Sequence, residues 1–271
     1  MAEMTIKLIA VDLDGTFLRD DKSYDKERFA HQFERMQEQD IHFVVASGNP
    51  TLAIAEYFKE FKDKIGYVAE NGAVVQDAKE LLKEYLFDNK LYRETVNYLK
   101  ETFSETGLLA VNNQGGFYEK SEPVEFIQDL TDYYPKVTGV ESLAVLTHDI
   151  SMLTGHFPVS IYEKISAQLN AEMSHKLQAK ASGFGYIDIN SVDATKKNGL
   201  NLLQNRWHIL DEEVATFGDN DNDQEMLAFT PNSFSMATGS RLAKQSSNHI
   251  IGLNQDDSVL DTIDDILDHK F

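Results

Sequence analysis

Acidic residues directly follow two apolar, strand-like runs of the sequence. Asp12 and Asp14 come after the run Ile6–Val11, and Asp219 comes after the run Val214–Phe217. Parallel strands present their carboxyl ends at one edge of a sheet, where open α/β sheets bind their ligands. Carboxylate oxygens together with water are the ligands that Mg²⁺ prefers. The pattern therefore predicts a metal site, and the alternative is a pair of ordinary strand-to-turn junctions.

A hydroxyl and an amine stand at comparable places in the sequence. Ser47 follows the apolar run 41–46, and Lys196 lies in the segment Thr195–Gly199, just before a helix-like pattern. In phosphoryl transfer, catalysis consists mostly of positioning and of neutralising the charge on the phosphoryl oxygens. A hydroxyl, a lysine and a divalent ion around one carboxylate are suited to that reaction.

The runs that carry these residues alternate with helix-like segments in the first and last thirds of the chain. Phe29, Phe33 and Met36, for example, recur at the i, i+4, i+7 spacing of an amphipathic helix. Strands that alternate with helices favour right-handed crossovers and a parallel sheet. We therefore predict an α/β fold with a Rossmann-like parallel-sheet core.

The middle third has a different pattern. Short strand candidates, including Leu143–Thr147, stand among helix candidates, which is typical of a separate α+β domain. We predict a catalytic core made of residues 1–83 and 184–271, interrupted by an inserted α+β cap at residues 84–183.

The composition restricts the kind of partner. Lysine and arginine together number 25 and aspartate and glutamate 45, which gives a net charge of −20, and there is no cysteine. Such a charge repels nucleic acids and anionic membranes, and the lack of cysteine excludes disulfides and thiol nucleophiles. No apolar run approaches the roughly 18 residues of a membrane span. We expect a cytoplasmic protein that binds neither nucleic acid nor membrane.

Six motifs, in this order, resemble the haloacid dehalogenase-like hydrolase superfamily, in its Cof-type phosphatase branch, with the closest likeness to bacterial sugar phosphatases. They are Asp12–Thr16 (DLDGT), Ala46–Asn49 (ASGN), Ala69–Ala73 (AENGA), Ser182–Asp188 (SGFGYID), Thr195–Gly199 (TKKNG) and Gly218–Leu227 (GDNDNDQEML). The resemblance implies an Mg²⁺-dependent phosphatase of small phosphorylated metabolites, in particular sugar phosphates, that works through an aspartyl phosphate.

The resemblance also assigns the catalytic roles. Asp12 corresponds to the nucleophile that attacks phosphorus, and Asp14 to the general acid and base. Ser47, with the amide of Gly48, corresponds to the group that holds a phosphoryl oxygen. Lys196, rather than the adjacent Lys197, corresponds to the lysine that steadies the negative charge at the nucleophile.

The metal ligands and nearby residues follow from the same motifs. By resemblance, Mg²⁺ is bound by the Asp12 carboxylate, the backbone carbonyl of Asp14 and the Asp219 carboxylate. Asn222 is expected near the phosphate. Asp223 is expected in the outer shell of the metal, where such residues orient the ligands.

Two positions depart from the common pattern of the branch, and a third lies where the cap is expected to join the core. Asn49 stands where many members have arginine, which favours the sugar-phosphatase subset and removes an arginine phosphate contact. Asp221 stands where glycine is common. Phe184 is expected either to contact the carbon skeleton of the substrate or to lie in a simple hinge, because we expect the chain to return to the core there.

Two other functions remain open from the sequence. A phosphomutase or phosphotransferase would use the same two aspartates but pass the phosphoryl group to a second hydroxyl. A non-catalytic phospho-accepting sensor would also place acids and Mg²⁺ at strand ends, although the acid–base pair and the large cap argue against it.

Overall fold

The computed structural model describes residues 5–103, 106–146, 149–158, 160, 162–173, 175–183 and 185–270. Its strands are β1 (Leu8–Val11), β2 (His42–Ala46), β3 (Gly66–Ala69), β4 (Val74–Asp77), β5 (Glu80–Glu84), β6 (Gly107–Asn112), β7 (Gly115–Glu119), β8 (Val137–Val140), β9 (Met152–His156), β10 (Leu177–Gly183), β11 (Tyr186–Ser191), β12 (Val214–Gly218), β13 (Asn232–Met236) and β14 (His249–Ile251). Its helices are α1 (Lys26–Glu38), α2 (Thr51–Tyr57), α3 (Asn89–Thr102), α4 (Val124–Tyr133), α5 (Tyr162–Glu172), α6 (Lys196–Trp207), α7 (Gln224–Ala228), α8 (Arg241–Ser246) and α9 (Ser258–Leu267). None of these helices is both long enough and apolar enough to cross a membrane.

The larger sheet has the strand order β14-β13-β12-β1-β2-β3-β4-β5. Its strands are parallel from β14 to β3, and β4 and β5 add an antiparallel edge. This arrangement confirms the predicted α/β class with a parallel-sheet core. It also puts β1 at the centre, between β12 and β2, where the strand order reverses and open α/β sheets bind their ligands.

Helices cover both faces of the larger sheet, because its central strands are apolar on both sides. Helix α1 begins at Asp25, whose carboxylate accepts a hydrogen bond from the Arg28 amide at 3.0 Å, and it buries Phe29, Phe33 and Met36. These side chains share one apolar cluster with α9. Helix α6 packs on the other face through its buried leucines. The result is a three-layer core that fixes the carboxyl ends of the parallel strands.

The smaller sheet, with its helices, is called the cap below. Its strand order is β10-β11-β9-β6-β7-β8, antiparallel except for the β7–β8 pair. Helices α3 and α5 contribute to the apolar cluster on one face, and α4 contributes to a separate cluster on the other face. The two faces of this sheet therefore have separate apolar cores.

Two local expectations differ from the structure. Leu143–Val145 forms a single 3₁₀ turn instead of part of a strand, with Leu143 buried beneath α3 and the other two side chains less buried. The predicted return to the core after residue 183 falls inside the β10–β11 hairpin, and β11 pairs in the smaller sheet as far as Ile189 at least. The glycines at 183 and 185 resemble a linker in sequence, but Gly185 (φ +89°) occupies a hairpin turn.

Candidate active site

The predicted catalytic residues meet at the carboxyl ends of adjacent parallel strands. Asp12 follows β1, Ser47 follows β2 and Asp219 follows β12. The Asp12 amide continues the ladder by donating to the Phe217 carbonyl at 2.9 Å. Lys196 reaches the same point from the first turn of α6, whose N-cap is the Thr195 hydroxyl. The strand order therefore brings together residues that are up to 207 positions apart.

Three carboxylates and one ammonium form the centre of this site. One oxygen from each of Asp12, Asp219 and Asp223 lies within 4.8 Å of the others. The Lys196 Nζ atom donates to Asp12 Oδ1 at 2.6 Å and to Asp223 Oδ1 at 2.5 Å. Asp223 Oδ2 also accepts from the Asp219 and Asn220 amides, both at 2.9 Å, so this carboxylate holds the loop after β12.

Burial and like charge shift the pKa values of these groups. Burial raises the pKa of Asp12 well above its ordinary value, and the charges of Asp223 and Asp219 add to that effect, although Lys196 opposes it. Burial, followed by the Asp223 charge, raises the pKa of Asp219 to about 7. Burial alone would lower the pKa of Lys196, but the charges of Asp12 and Asp223 outweigh it and raise that pKa.

The donor set of this cluster fits a divalent metal ion. If all three carboxylates were ionised, the one ammonium beside them would leave two negative charges uncompensated in a mostly buried site. In the described part of the chain, Asp12 Oδ2 and Asp219 Oδ2 accept no hydrogen bond, whereas both oxygens of Asp223 do. Asp12 and Asp219 are thus the carboxylates with oxygens left for a metal, and Asp223 orients the loop that carries Asp219.

Close packing explains the glycine in the first motif. Gly15 has a φ of +80°, and a Cβ atom there would lie 2.7 Å from Asp219 Oδ2. The next residue, Thr16, donates from its hydroxyl to Asp219 Oδ1 at 2.9 Å. The turn after Asp14 is therefore shaped to hold Asp219 against Asp12.

Asp14 lies at the mouth of the cavity beside these acids. Its Oδ2 atom accepts a hydrogen bond from Asn49 Nδ2 at 2.8 Å, and its Oδ1 atom accepts one from Lys22 Nζ. The Asp14 side chain is 38% exposed, so it can reach a bound molecule and exchange protons with it. Asn49, predicted to bind substrate, thus contacts Asp14 directly.

The loop after β2 offers hydrogen-bond donors to an anion. Ser47 Oγ accepts from the Asn49 amide at 3.1 Å, which leaves the hydroxyl hydrogen available for donation into the cavity. Gly48 also lines the cavity, and its amide has no acceptor among the described residues. Two donors therefore lie where the resemblance places a phosphoryl oxygen.

A series of hydrogen bonds connects the loop after β12 to the cap. Asn222 Nδ2 donates to Asn71 Oδ1 at 2.9 Å, and Asn71 Nδ2 donates to Asp188 Oδ2, also at 2.9 Å. Thr154 donates from its hydroxyl to Asp188 Oδ1 at 2.9 Å. The cavity is lined from the core by Asp12, Asp14, Lys22, Ser47, Gly48, Asn49, Asp219, Asn220 and Asn222, and from the cap by Leu130, Tyr134, Thr154, Ser182, Tyr186 and Asp188.

Sequence reasoning missed several of these residues. Asn71 and Asp188 stand inside two of the motifs, which was the available signal, but no role was assigned to them. Lys22 and Thr154 lie outside the six motifs, and only the fold brings them to the cavity. Phe184 lies outside the described residues, so its contact with a substrate stays a prediction. The hairpin at Gly185 shows that the chain does not re-enter the core there.

Comparisons with known proteins agree with this geometry. A family model of haloacid dehalogenase-like hydrolases matches residues 9–263. The chain is 34% identical to the 5-amino-6-(5-phospho-D-ribitylamino)uracil phosphatase YbjI of Escherichia coli strain K12, over 98% of each protein. It is 25% identical to a phosphatase of the same description, YitU of Bacillus subtilis strain 168, over 93% of this chain and 94% of that protein. The crystal structure of SMU.1108c from Streptococcus mutans UA159 superposes with a TM-score of 0.93 at 31% identity, covering 97% of this chain and 100% of that one.

Proposed function

The chain belongs to the haloacid dehalogenase-like hydrolases and is a phosphoric monoester hydrolase, and we propose that it works as an Mg²⁺-dependent phosphatase through an aspartyl phosphate on Asp12. The observation that carries this proposal is the buried cluster of Asp12, Asp219 and Asp223 around Lys196. A carboxylate nucleophile requires charge compensation when an anionic phosphate approaches it. The cluster combines that nucleophile with one fixed ammonium and two further acids.

The first half-reaction transfers the phosphoryl group to the protein. One carboxylate oxygen of Asp12 forms a bond to phosphorus while the bond from phosphorus to the ester oxygen breaks. Asp14 gives its proton to the departing alkoxide, so the leaving group departs as a neutral alcohol. Ser47 and the Gly48 amide donate hydrogen bonds to the phosphoryl oxygens, whose charge they stabilise.

The second half-reaction regenerates Asp12. Asp14, now ionised, takes a proton from a water molecule whose oxygen attacks phosphorus, and the acyl phosphate bond breaks to release inorganic phosphate. Lys196 keeps its hydrogen bonds to Asp12 and Asp223 and so holds the nucleophile in place. A bound Mg²⁺, held by Asp12, Asp219 and the Asp14 carbonyl, would neutralise charge on the transferring group.

The substrate that we propose is a small phosphate monoester of a polyhydroxy alcohol. The cap side of the cavity combines polar groups with the rings of Tyr134 and Tyr186. Two relatives are named for 5-amino-6-(5-phospho-D-ribitylamino)uracil, whose phosphate is on a ribityl chain attached to a flat uracil ring. This compound is the first candidate, and simple sugar phosphates, as predicted from the sequence, are the second.

A panel of phosphate monoesters tests the proposal. We expect Mg²⁺-dependent release of inorganic phosphate from p-nitrophenyl phosphate, and a higher kcat/KM for the ribitylaminouracil phosphate or for a sugar phosphate. Asp12→Asn provides the inactive control. Stoichiometric labelling without turnover would indicate a sensor, and turnover only with an added acceptor alcohol would indicate a phosphotransferase; either result would refute the phosphatase.

A further inference from the structure

One acidic residue of the cap, Asp188, faces the cavity although no step of the proposed reaction uses it. It lies on β11, directly opposite Thr154 of β9 and Lys180 of β10 in the register of the sheet. Directly opposite residues of antiparallel strands place their side chains on the same face. Since Thr154 and Asp188 both line the cavity, this face of the cap sheet is turned toward the catalytic core.

The Asp188 carboxylate is fixed by hydrogen-bond donors. It accepts from the Thr154 hydroxyl at one oxygen and from Asn71 Nδ2 at the other, both at 2.9 Å. The residue is 5% exposed, and within the described ranges of the chain it forms no ion pair. A carboxylate has about four acceptor positions, so two donors leave capacity on a group that borders the cavity.

Asp188 borders the proposed phosphate site from the cap side of the cavity. A Cβ atom on Gly48 would lie 3.5 Å from Asp188 Oδ2, so the carboxylate is adjacent to the loop proposed to hold the phosphoryl oxygens. The buried Asn71 amide connects it to Asn222 on the other side of that loop. Because Asp12 and Asp188 line the same cavity from the core and from the cap, a leaving group that extends from Asp12 toward the cap can contact this acid.

We propose that Asp188 selects the leaving group: its carboxylate accepts hydrogen bonds from hydroxyl or amino groups of the departing alcohol and repels leaving groups that carry a second anionic group. This inference rests on the proposed function and names the chemical class of its substrate. A buried site built to accept a hydrogen bond discriminates strongly against analogues that lack the donor, because its polar group is then left unpaired. A second phosphate or a carboxylate on the substrate would add a like charge next to a buried acid.

Asp188→Asn tests the assignment with little change in shape. The amide oxygen can still accept from Asn71, and the Thr154 hydroxyl can accept from the new amide group instead of donating. We expect kcat/KM for a polyol phosphate such as ribitol phosphate to fall at least about 10-fold more than kcat/KM for p-nitrophenyl phosphate, which has no hydroxyl or amino donor. Discrimination against sugar bisphosphates should weaken by a similar factor.

Glu70→Gln is the matched control. Glu70 is another buried acid where the core meets the cap; it accepts a hydrogen bond from Ser151 but does not line the cavity. Its substitution should change kcat/KM by the same factor for every substrate. If Asp188→Asn also lowered kcat/KM by the same factor for every substrate, Asp188 would have only a structural role and the proposal would be overturned.

The wild-type enzyme gives a second test that does not depend on the folding of a variant. Single-deoxy analogues of the polyol phosphate should include one whose kcat/KM is at least about 10-fold below that of the parent compound. In Asp188→Asn, removal of that same hydroxyl should have almost no effect. The proposal fails if no deoxy analogue has a reduced kcat/KM and bisphosphates are hydrolysed as well as monophosphates. Failure of the proposed function would give a different result, because no monoester would then be turned over at all.

Discussion

Lys196→Met removes the only cation hydrogen-bonded to the acid cluster among the described residues. The Lys196 side chain is 1% exposed, and its ammonium contacts the carboxylates of Asp12 and Asp223, whose side chains are 9% and 0% exposed. Methionine fills a similar volume but supplies no charge and no donor. The variant therefore has two buried acids without the cation that compensates for their burial.

The expected loss of stability follows from the burial of Lys196 together with Asp12 and Asp223. Removing one partner of a buried ion pair costs about 3–5 kcal/mol, because the remaining charge is left uncompensated. We expect the free energy of unfolding to fall by about that amount near neutral pH without added metal. The loss should be smaller in acid, where protonated carboxylates no longer require the ammonium. Turnover should fall about 10²–10³-fold, as for other losses of a preorganised electrostatic group.

Lys197→Met is the matched control for this experiment. Lys197 is the next residue of α6 but is directed over the ring of Phe229, with its Nζ atom 5.5 Å from the ring centre. Its loss should cost about 0.5–1 kcal/mol. Urea unfolding of both variants, with turnover of p-nitrophenyl phosphate measured in parallel, gives the comparison. Equal destabilisation by the two substitutions would refute the argument that the acid cluster depends on Lys196.

Three further predictions concern the acid–base group, the metal and a buried glutamate. Asp14→Asn should slow turnover about 10²–10⁴-fold, and a loss below tenfold in steady-state assays would show that Asp14 is not the acid and base. Asp219→Ala should sharply raise the Mg²⁺ concentration required for activity, and EDTA should inhibit the native enzyme reversibly; full activity in metal-free buffer would reject the metal site. Burial raises the pKa of Glu70 from 4.5 to about 7. Between these two pH values the folded protein keeps a proton that the unfolded chain releases, so the free energy of unfolding falls as the pH rises. Glu70→Gln should reduce that fall by up to about 3 kcal/mol, and identical stability profiles for variant and wild type, measured by urea unfolding across the range, would contradict the assignment.

The sequence was sufficient to predict that the side chains of Asp12, Ser47 and Asp219 come together, because they occupy strand ends. Asp12, Ser47 and Asp219 each follow an apolar run, and parallel pairing of those runs brings them together. The family motifs supplied the roles and distinguished Lys196 from Lys197, and the structure places the first among the carboxylates and the second over an aromatic ring. Local pattern and global topology agree at these positions.

The cap side of the site was not predictable in the same way. Asp188 becomes part of the cavity only through its pairing with Thr154 and its contact with Asn71, which is 117 residues away in sequence. The sequence predicts a return to the core where the structure has the hairpin at Gly185, since a glycine-rich turn and a linker have the same local composition. Leu143 is buried like a strand residue but in a 3₁₀ turn, because α3 covers it.

The covalent step on Asp12 is the central claim, and trapping the intermediate tests it most directly. The enzyme would be mixed with a phosphate monoester radiolabelled on phosphorus, quenched in acid during turnover, digested and analysed by mass spectrometry. We expect a hydroxylamine-labile phosphoryl group on the peptide that contains Asp12, and none in Asp12→Asn. Turnover of the wild-type enzyme with no labelled peptide at any quench time, or a label on another residue, would contradict it.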